Sequence, residues 1–234
     1  MNYMYTLGID TATSQMSIAL LKDETILSTA ESNDNGHHSS NIMALISKVL
    51  DQGGADKSQI NLISVDTGPG PFTSLRVGVA TARGMAQFGR HPIVFVHSLE
   101  VLKESVSGNS NGDSAESYPY TVPMIDARRK RVFGAIYKGD KLVEGNLDIE
   151  PQHLADKIKK LRGRVILLGN GTQLYHDLWI RELGHQIRIL QSDPSSQAVH
   201  TARLGRLSFL KHGDMGVHRI LPNYVRKSDA DASL

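Results

Sequence analysis

The stretch Asp66-Thr67-Gly68-Pro69-Gly70-Pro71-Phe72-Thr73-Ser74-Leu75-Arg76-Val77-Gly78-Val79-Ala80-Thr81-Ala82-Arg83-Gly84-Met85-Ala86 is the most ordered text in the sequence. The apolar run Ile63–Val65 precedes it and reads as a buried strand. Gly68-Pro69-Gly70-Pro71 then turns the chain, because glycine is free to take positive φ and proline fixes its own. Pro71 suits the first helical position, where its missing N–H costs nothing. A helix is expected from there to about Phe88, closed by Gly89. Ser74, Gly78, Ala82 and Ala86 recur every fourth residue and stack along one side of it. Glycine inside a helix costs ~1 kcal/mol against alanine, so Gly78 and Gly84 want a reason. Close approach of another backbone is one, and that backbone belongs either to this chain's own sheet or to a helix of another chain. Free N–H groups at the helix start suit an anion, but the lysine of a phosphate-binding P-loop is absent.

Outward from this stretch, Met4–Ile9, Met16–Leu21 and Thr25–Ala30 read as three strands of an antiparallel meander, with Thr11 to Ser14 a tight polar turn between the first two. A polar loop, Ser32 to Ser40, leads to a helix near Asn41–Leu50 with Ile42, Leu45, Ile46, Val49 and Leu50 on one face. Strand 62–66, the helix above, strand 93–96 and a helix from about Ser98 to Val106 follow. After the Ser/Asn/Gly-rich segment 107–117, which reads as a surface loop or linker, the pattern restarts. Strands are expected at 122–125, 132–137, from 142, at 165–168 and at 187–190, and helices at 151–161, 172–183 and 198–211. Ile9-Asp10 matches Ile125-Asp126, and the stretch ending Val65-Asp66 resembles Leu167 to Gly171. The repeat predicts an α/β protein with the duplicated actin-like ATPase fold (ASKHA, ribonuclease H-like), with mixed central sheets in two subdomains. The expected boundaries are 1–106 for the first half with its partner-binding helix, 118–212 for the second, and 213–234 for a C-terminal segment packing back on the first half.

Composition narrows the function. The 234 residues are 40% hydrophobic, enough for a substantial core, and the net charge of +2 does not announce nucleic acid. Cysteine is absent, which excludes disulfides and cysteine-based metal sites or nucleophiles. No apolar run reaches the roughly 20 residues of a membrane span. Met1 to Asp10 lacks a signal peptide's basic region and cleavage site, so a cytoplasmic location is the expectation.

Nucleotide enzymes of this fold class hold phosphates between two Asp-x-Gly hairpins. Here the hairpins read Asp10-Thr11-Ala12 and Asp126-Ala127-Arg128, and a β-carbon stands where the glycine would admit phosphate. No histidine pair has i, i+4 spacing, and four residues after His38 stands Ile42. Ser74 lies in no Gly-x-Ser-x-Gly elbow. Arg128-Arg129-Lys130-Arg131 is the one basic run and falls on a predicted hairpin, either simply solvated or in contact with RNA or an acidic partner. A sugar or acetate kinase of the same class is opposed by the missing glycines.

Leu7-Gly8-Ile9-Asp10-Thr11-Ala12-Thr13, the segment Gly68 to Gly78, Ile125-Asp126-Ala127-Arg128 and Pro222-Asn223-Tyr224-Val225-Arg226 occur in that order. Together they resemble the TsaB (YeaZ) family of bacteria over nearly the whole chain. The sequence departs from the family's usual text at Pro71, where serine is usual, at Ser74, where glycine is usual, and at Arg131 and Phe133 beside the Asp-Ala-Arg motif. The resemblance implies a non-catalytic subunit, a degenerate relative of the transferase TsaD. TsaD moves a threonylcarbamoyl group from its adenylate to N6 of adenosine 37 in tRNAs reading ANN codons. It holds a metal through a His-x-x-x-His helix, and this chain has His38 and Ile42 near that place; the alternative is a metal-dependent, glycoprotease-like peptidase. Also implied are a heterodimer with TsaD, recruitment of the ATPase TsaE to that pair, and a homodimer when TsaD is absent. No cofactor is implied for this chain alone, with nucleotide a possibility at the shared interface. The pairing surface would be the helix after the Gly-Pro-Gly loop: Phe72, Thr73, Arg76, Gly78, Val79, Ala82, Arg83, Met85 and Ala86. On that reading Ala82→Arg abolishes pairing and leaves the fold intact.

Overall fold

Period-two runs near the start become β1 (Tyr5–Asp10), β2 (Met16–Lys22) and β3 (Thr25–Ser32), an antiparallel meander in the computed structural model of the chain. The structure describes residues 3–13, 15–32, 38–106, 118–191 and 197–225. Ser14, most of the polar loop with His37, the segment 107–117 and Arg226 lie outside the described residues. β1 pairs in parallel with β4 (Leu62–Asp66), and β4 with β5 (Ile93–Val96), giving the sheet order β3-β2-β1-β4-β5. The second sheet repeats the plan. β6 (Tyr120–Asp126), β7 (Val132–Lys138) and β8 (Lys141–Ile149) form a meander, and β9 (Val165–Leu168) and β10 (Ile187–Leu190) add in parallel. Its order is β10-β9-β6-β7-β8, the first sheet's order read from the opposite edge. The weak sequence repeat is thus a structural duplication.

The chain packs as two units. The first comprises the described residues up to Val101 and 197–223; the second comprises 102–191 and 224–225. In the first, alternation along the strands splits the sheet into two faces. Leu7, Ile9, Met16, Ile18, Leu20, Ile63 and Val65 are packed with α1 (His38–Gln52) and α2 (Phe72–Gly89). Ala19 and Leu21 meet Ala198, Val199 and Ala202 of α7 (Gln197–His212). In the second unit, Val122, Met124, Val132, Val165 and Leu167 pack with α4 (Pro151–Lys159) and α6 (His176–Leu183), around a fully buried Trp179. The helix expected over 172–183 is broken at Tyr175 into α5 (Asn170–Leu174) and α6. The Trp179 indole N–H then donates to the Gly171 carbonyl at 3.3 Å.

The domain boundaries require one correction. The final helix, α7, falls by sequence position in the expected second half, yet it packs on β1, β2 and β4 of the first sheet. Small residues on both sides make this possible. A β-carbon on Gly8 would collide with the Ala198 carbonyl, and one on Gly205 would collide with Ser64. The Ser64 hydroxyl donates to the Thr201 carbonyl at 2.6 Å, and Ala198 N–H donates to Ser17 Oγ at 3.1 Å. α3 (Ser98–Glu104) is slightly shorter than expected.

The ends of α2 also differ in detail. Pro71 is the extended N-cap residue (φ −61°, ψ 127°), and Arg90, not Gly89, takes the left-handed position after the helix (φ 57°). Gly89 instead makes room for the His91 ring, which a β-carbon would strike.

Candidate functional site

Because β1 and β4 run parallel with Ile9 opposite Val65, the residues that follow, Asp10 and Asp66, come side by side at the strand ends. Both are buried, at 2% and 0% exposure. Asp10 Oδ1 accepts from Ala12 N–H at 3.1 Å, and its Oδ2 accepts from the Thr201 hydroxyl at 3.3 Å. Asp66 Oδ1 accepts from Gly68 N–H at 2.8 Å and from the Ser98 hydroxyl at 2.7 Å. Its Oδ2 is buried and, as a carboxylate oxygen, has no donor. Burial raises the pKa of both acids, and for Asp66 the charge of Asp10 adds to it, so Asp66 stands well above the usual carboxyl range. The two buried acids therefore favour the neutral form more than an exposed carboxyl does.

The turn after Asp10 is filled by the chain itself. Thr11 and Ala12 are buried. A β-carbon on Gly70 would meet the Ala12 carbonyl, and one on Gly78 would meet the Thr11 hydroxyl. Thr67 through Gly70 are buried as well. Ser98 N–H donates to the Gly68 carbonyl at 3.0 Å, and Asn223 N–H, from the Pro-Asn-Tyr motif, donates to the Thr67 carbonyl at 2.7 Å. The Gly-Pro-Gly loop therefore clamps the first hairpin and is not an open anion cradle.

This geometry corrects part of the expected pairing surface. The Ser74–Gly78–Ala82–Ala86 stripe is buried, and with Val79 it faces the chain's own first unit. Gly78 is small so that α2 can approach the first hairpin, and Ala82 and Ala86 are small so that it can approach the sheet. Gly78, Val79, Ala82 and Ala86 are thus core residues. Of the other expected positions, Thr73 and Arg76 are exposed, and Phe72, Arg83 and Met85 are half-buried. Met85, with Val77, packs against the first core, and the small residues of the opposite face are Thr73, Ala80 and Gly84. A β-carbon on Gly84 would meet nothing within 4 Å. Phe88, at the end of this face, is 88% exposed. Gly84 was visible in the sequence as a helical glycine without a purpose, and its outward direction was not.

In the second unit the corresponding acid, Asp126, is less enclosed. Its N–H donates to Asn170 Oδ1 at 2.9 Å, and its Oδ1 accepts from Arg128 N–H at 2.8 Å. Arg131 pairs with Asp148 at 2.7 Å. Among the described residues, no group of three or more His, Asp or Glu is placed to hold a metal ion, and no helix is long and apolar enough to cross a membrane.

Two sheets of identical order, each flanked by helices and each with an acid closing its first strand, define the duplicated actin-like ATPase class, ribonuclease H-like in each half. An inorganic polyphosphate/ATP-glucomannokinase from Arthrobacter shares the fold at 10% identity, with TM-score 0.54 over 89% of this chain and 100% of that one. The sequence model of the family described as "TsaD: tRNA N6-adenosine threonylcarbamoyltransferase" matches residues 25–201. The chain belongs to that family, within its TsaB branch. It is 29% identical over 235 residues to the tRNA threonylcarbamoyladenosine biosynthesis protein TsaB of Bacillus subtilis (strain 168), covering 98% of this chain and 97% of that protein. YeaZ from Pseudomonas aeruginosa superposes with TM-score 0.73 at 18% identity, over 94% of this chain and 99% of the other.

Proposed function

We propose that this chain is a non-catalytic subunit of tRNA threonylcarbamoyladenosine biosynthesis, acting in the cytoplasm and paired with a TsaD transferase through the outward face of α2. The observation that carries the reading is the filled first hairpin. Where a phosphate-handling relative needs open space beside its first acid, this chain seats Gly70 and Gly78 against Ala12 and Thr11 and couples Asp10 to Asp66. A buried acid with a raised pKa is poorly suited to position a metal–nucleotide complex. The outward face of α2 has what a helix-on-helix interface needs: small residues at its centre, Phe72 and Phe88 for apolar area, and Arg76 and Arg83 at the rim. An ATPase of the TsaE type would join that pair, with any nucleotide at the shared surface and none on this chain alone. Without TsaD the same face would pair two copies of the chain.

The test is size-exclusion co-elution with the TsaD protein of the same organism. Gly84→Arg adds a long charged side chain in open space and replaces a mid-helix glycine, so it should keep or raise Tm and abolish co-elution. Co-elution at wild-type strength would overturn the assignment of this face.

A further inference from the structure

The tip of the β6–β7 hairpin stands apart from the rest of the chain. Arg128, Arg129 and Lys130 are consecutive, exposed, and all left-handed, with φ of 60°, 53° and 58°. Side chains with a β-carbon are disfavoured there, and glycine or asparagine is the usual occupant. Most other positive-φ positions of the described chain follow that rule, being glycine, Asp23 or Asn146. The tip is held in shape by Arg131 N–H donating to the Arg128 carbonyl at 3.0 Å and Ala127 N–H donating to the Arg131 carbonyl at 3.0 Å. The Asp126 carboxylate grips the Arg128 N–H from below.

The duplication supplies an internal comparison. In the first unit the matching β1–β2 turn has Thr11 and Ala12 buried, and none of residues 11–13 or 15 has positive φ. The second copy exposes its tip at Arg128, Arg129 and Lys130, and it does so with three cations in a backbone state that suits none of them. Strain retained at an exposed position calls for a role for the side chains themselves. Residues 127–131 offer no exposed apolar group to anchor a protein partner. Three exposed cations on one turn, with Arg128 Nη1 also 3.5 Å from Asp126 Oδ2, match a phosphodiester backbone, which is bound by charge without regard to sequence.

We propose that Arg128, Arg129 and Lys130 form a contact for the phosphate backbone of RNA, the transfer RNA on which the proposed function acts. This rests on that function for the identity of the RNA.

The experiment uses the full chain and a labelled, unmodified tRNA transcript, with affinity measured across a salt series. Asparagine tolerates the left-handed turn and carries no charge, so R128N/R129N/K130N should do two things together. It should raise Tm by a few °C, and it should weaken tRNA binding about tenfold or more while flattening the log affinity–log salt slope by about 2–3. R128K/R129K, which keeps the charge, should retain the slope. K57Q/R90Q serves as control, because these cations line an open depression at the other end of β4 and β5. If the wild-type chain binds no tRNA at low salt, or the triple variant keeps the wild-type slope, the proposal is overturned. An equal loss in K57Q/R90Q overturns it too, since attraction would then be diffuse. Co-elution with TsaD reads the proposed function separately: a tip variant that pairs normally and binds RNA normally sinks this contact alone, whereas a chain that never pairs sinks the parent reading.

Discussion

Asp66 shows what one buried residue sets for the molecule around it. Its raised pKa means that the folded chain keeps a proton which the unfolded chain releases near pH 4. The stabilisation linked to that proton is full below about pH 4, and it is lost as pH rises through the folded pKa. Asp66→Asn keeps a donor toward Asp10 and an acceptor for Ser98 and Gly68, but it has nothing to titrate. Denaturant midpoints of the wild type should therefore fall with rising pH more steeply than those of the variant, and equal slopes would refute the raised pKa of Asp66. The sequence marked Asp10 for its place in a hairpin. It marked Asp66 only as the end of a strand. Both acids end apolar runs, and that much was legible; that the two runs are neighbours depends on strand order, which no local pattern encodes.

At the level of the element, α2 carries two stripes of small residues, and only one was recognised. The 74–78–82–86 repeat is the more regular and drew the expectation of a partner. Regularity instead reflects the demands of a sheet, where every fourth residue must be small for the helix to lie close. Ala82→Arg, expected from the sequence to spare the fold, should instead bury a charge in the first core. A loss on the order of 4 kcal/mol follows, seen as little soluble protein or a collapsed Tm. Gly84→Ala should act in the opposite sense, since it lies mid-helix with open space around it. It should stabilise the chain by about 0.5–1 kcal/mol while weakening TsaD pairing in co-elution. If Ala82→Arg folds normally, the assignment of the inward face is wrong. The left-handed tip at 128–130 left no signature in residue type, since arginine and lysine are poor predictors of positive φ, and only its charge could be read.

For the whole molecule, the duplicated plan was legible because two short motifs, Ile-Asp at a strand end and a glycine-containing turn into a helix, recur in order. The ownership of α7 was not, because it follows β10 in the sequence and docks on β1, β2 and β4. Hints did exist: Gly8 within a strand, and Ala198, Ala202 and Gly205 along a helix, are complementary allowances for close approach. A chain truncated after residue 191 should therefore damage the first unit, though every strand of that unit remains. Hydrogen exchange should show amides of β1 and β4 losing protection; retained protection would mean that α7 is dispensable there.

That last helix also orders events on the ribosome. The first sheet emerges early, but the face made for α7 stays bare until more than two hundred residues have been translated. Gly8, Ser17 and Ser64 wait for partners that almost the entire message must be read to supply. A prematurely ended product thus carries a first unit whose sheet face is left uncovered.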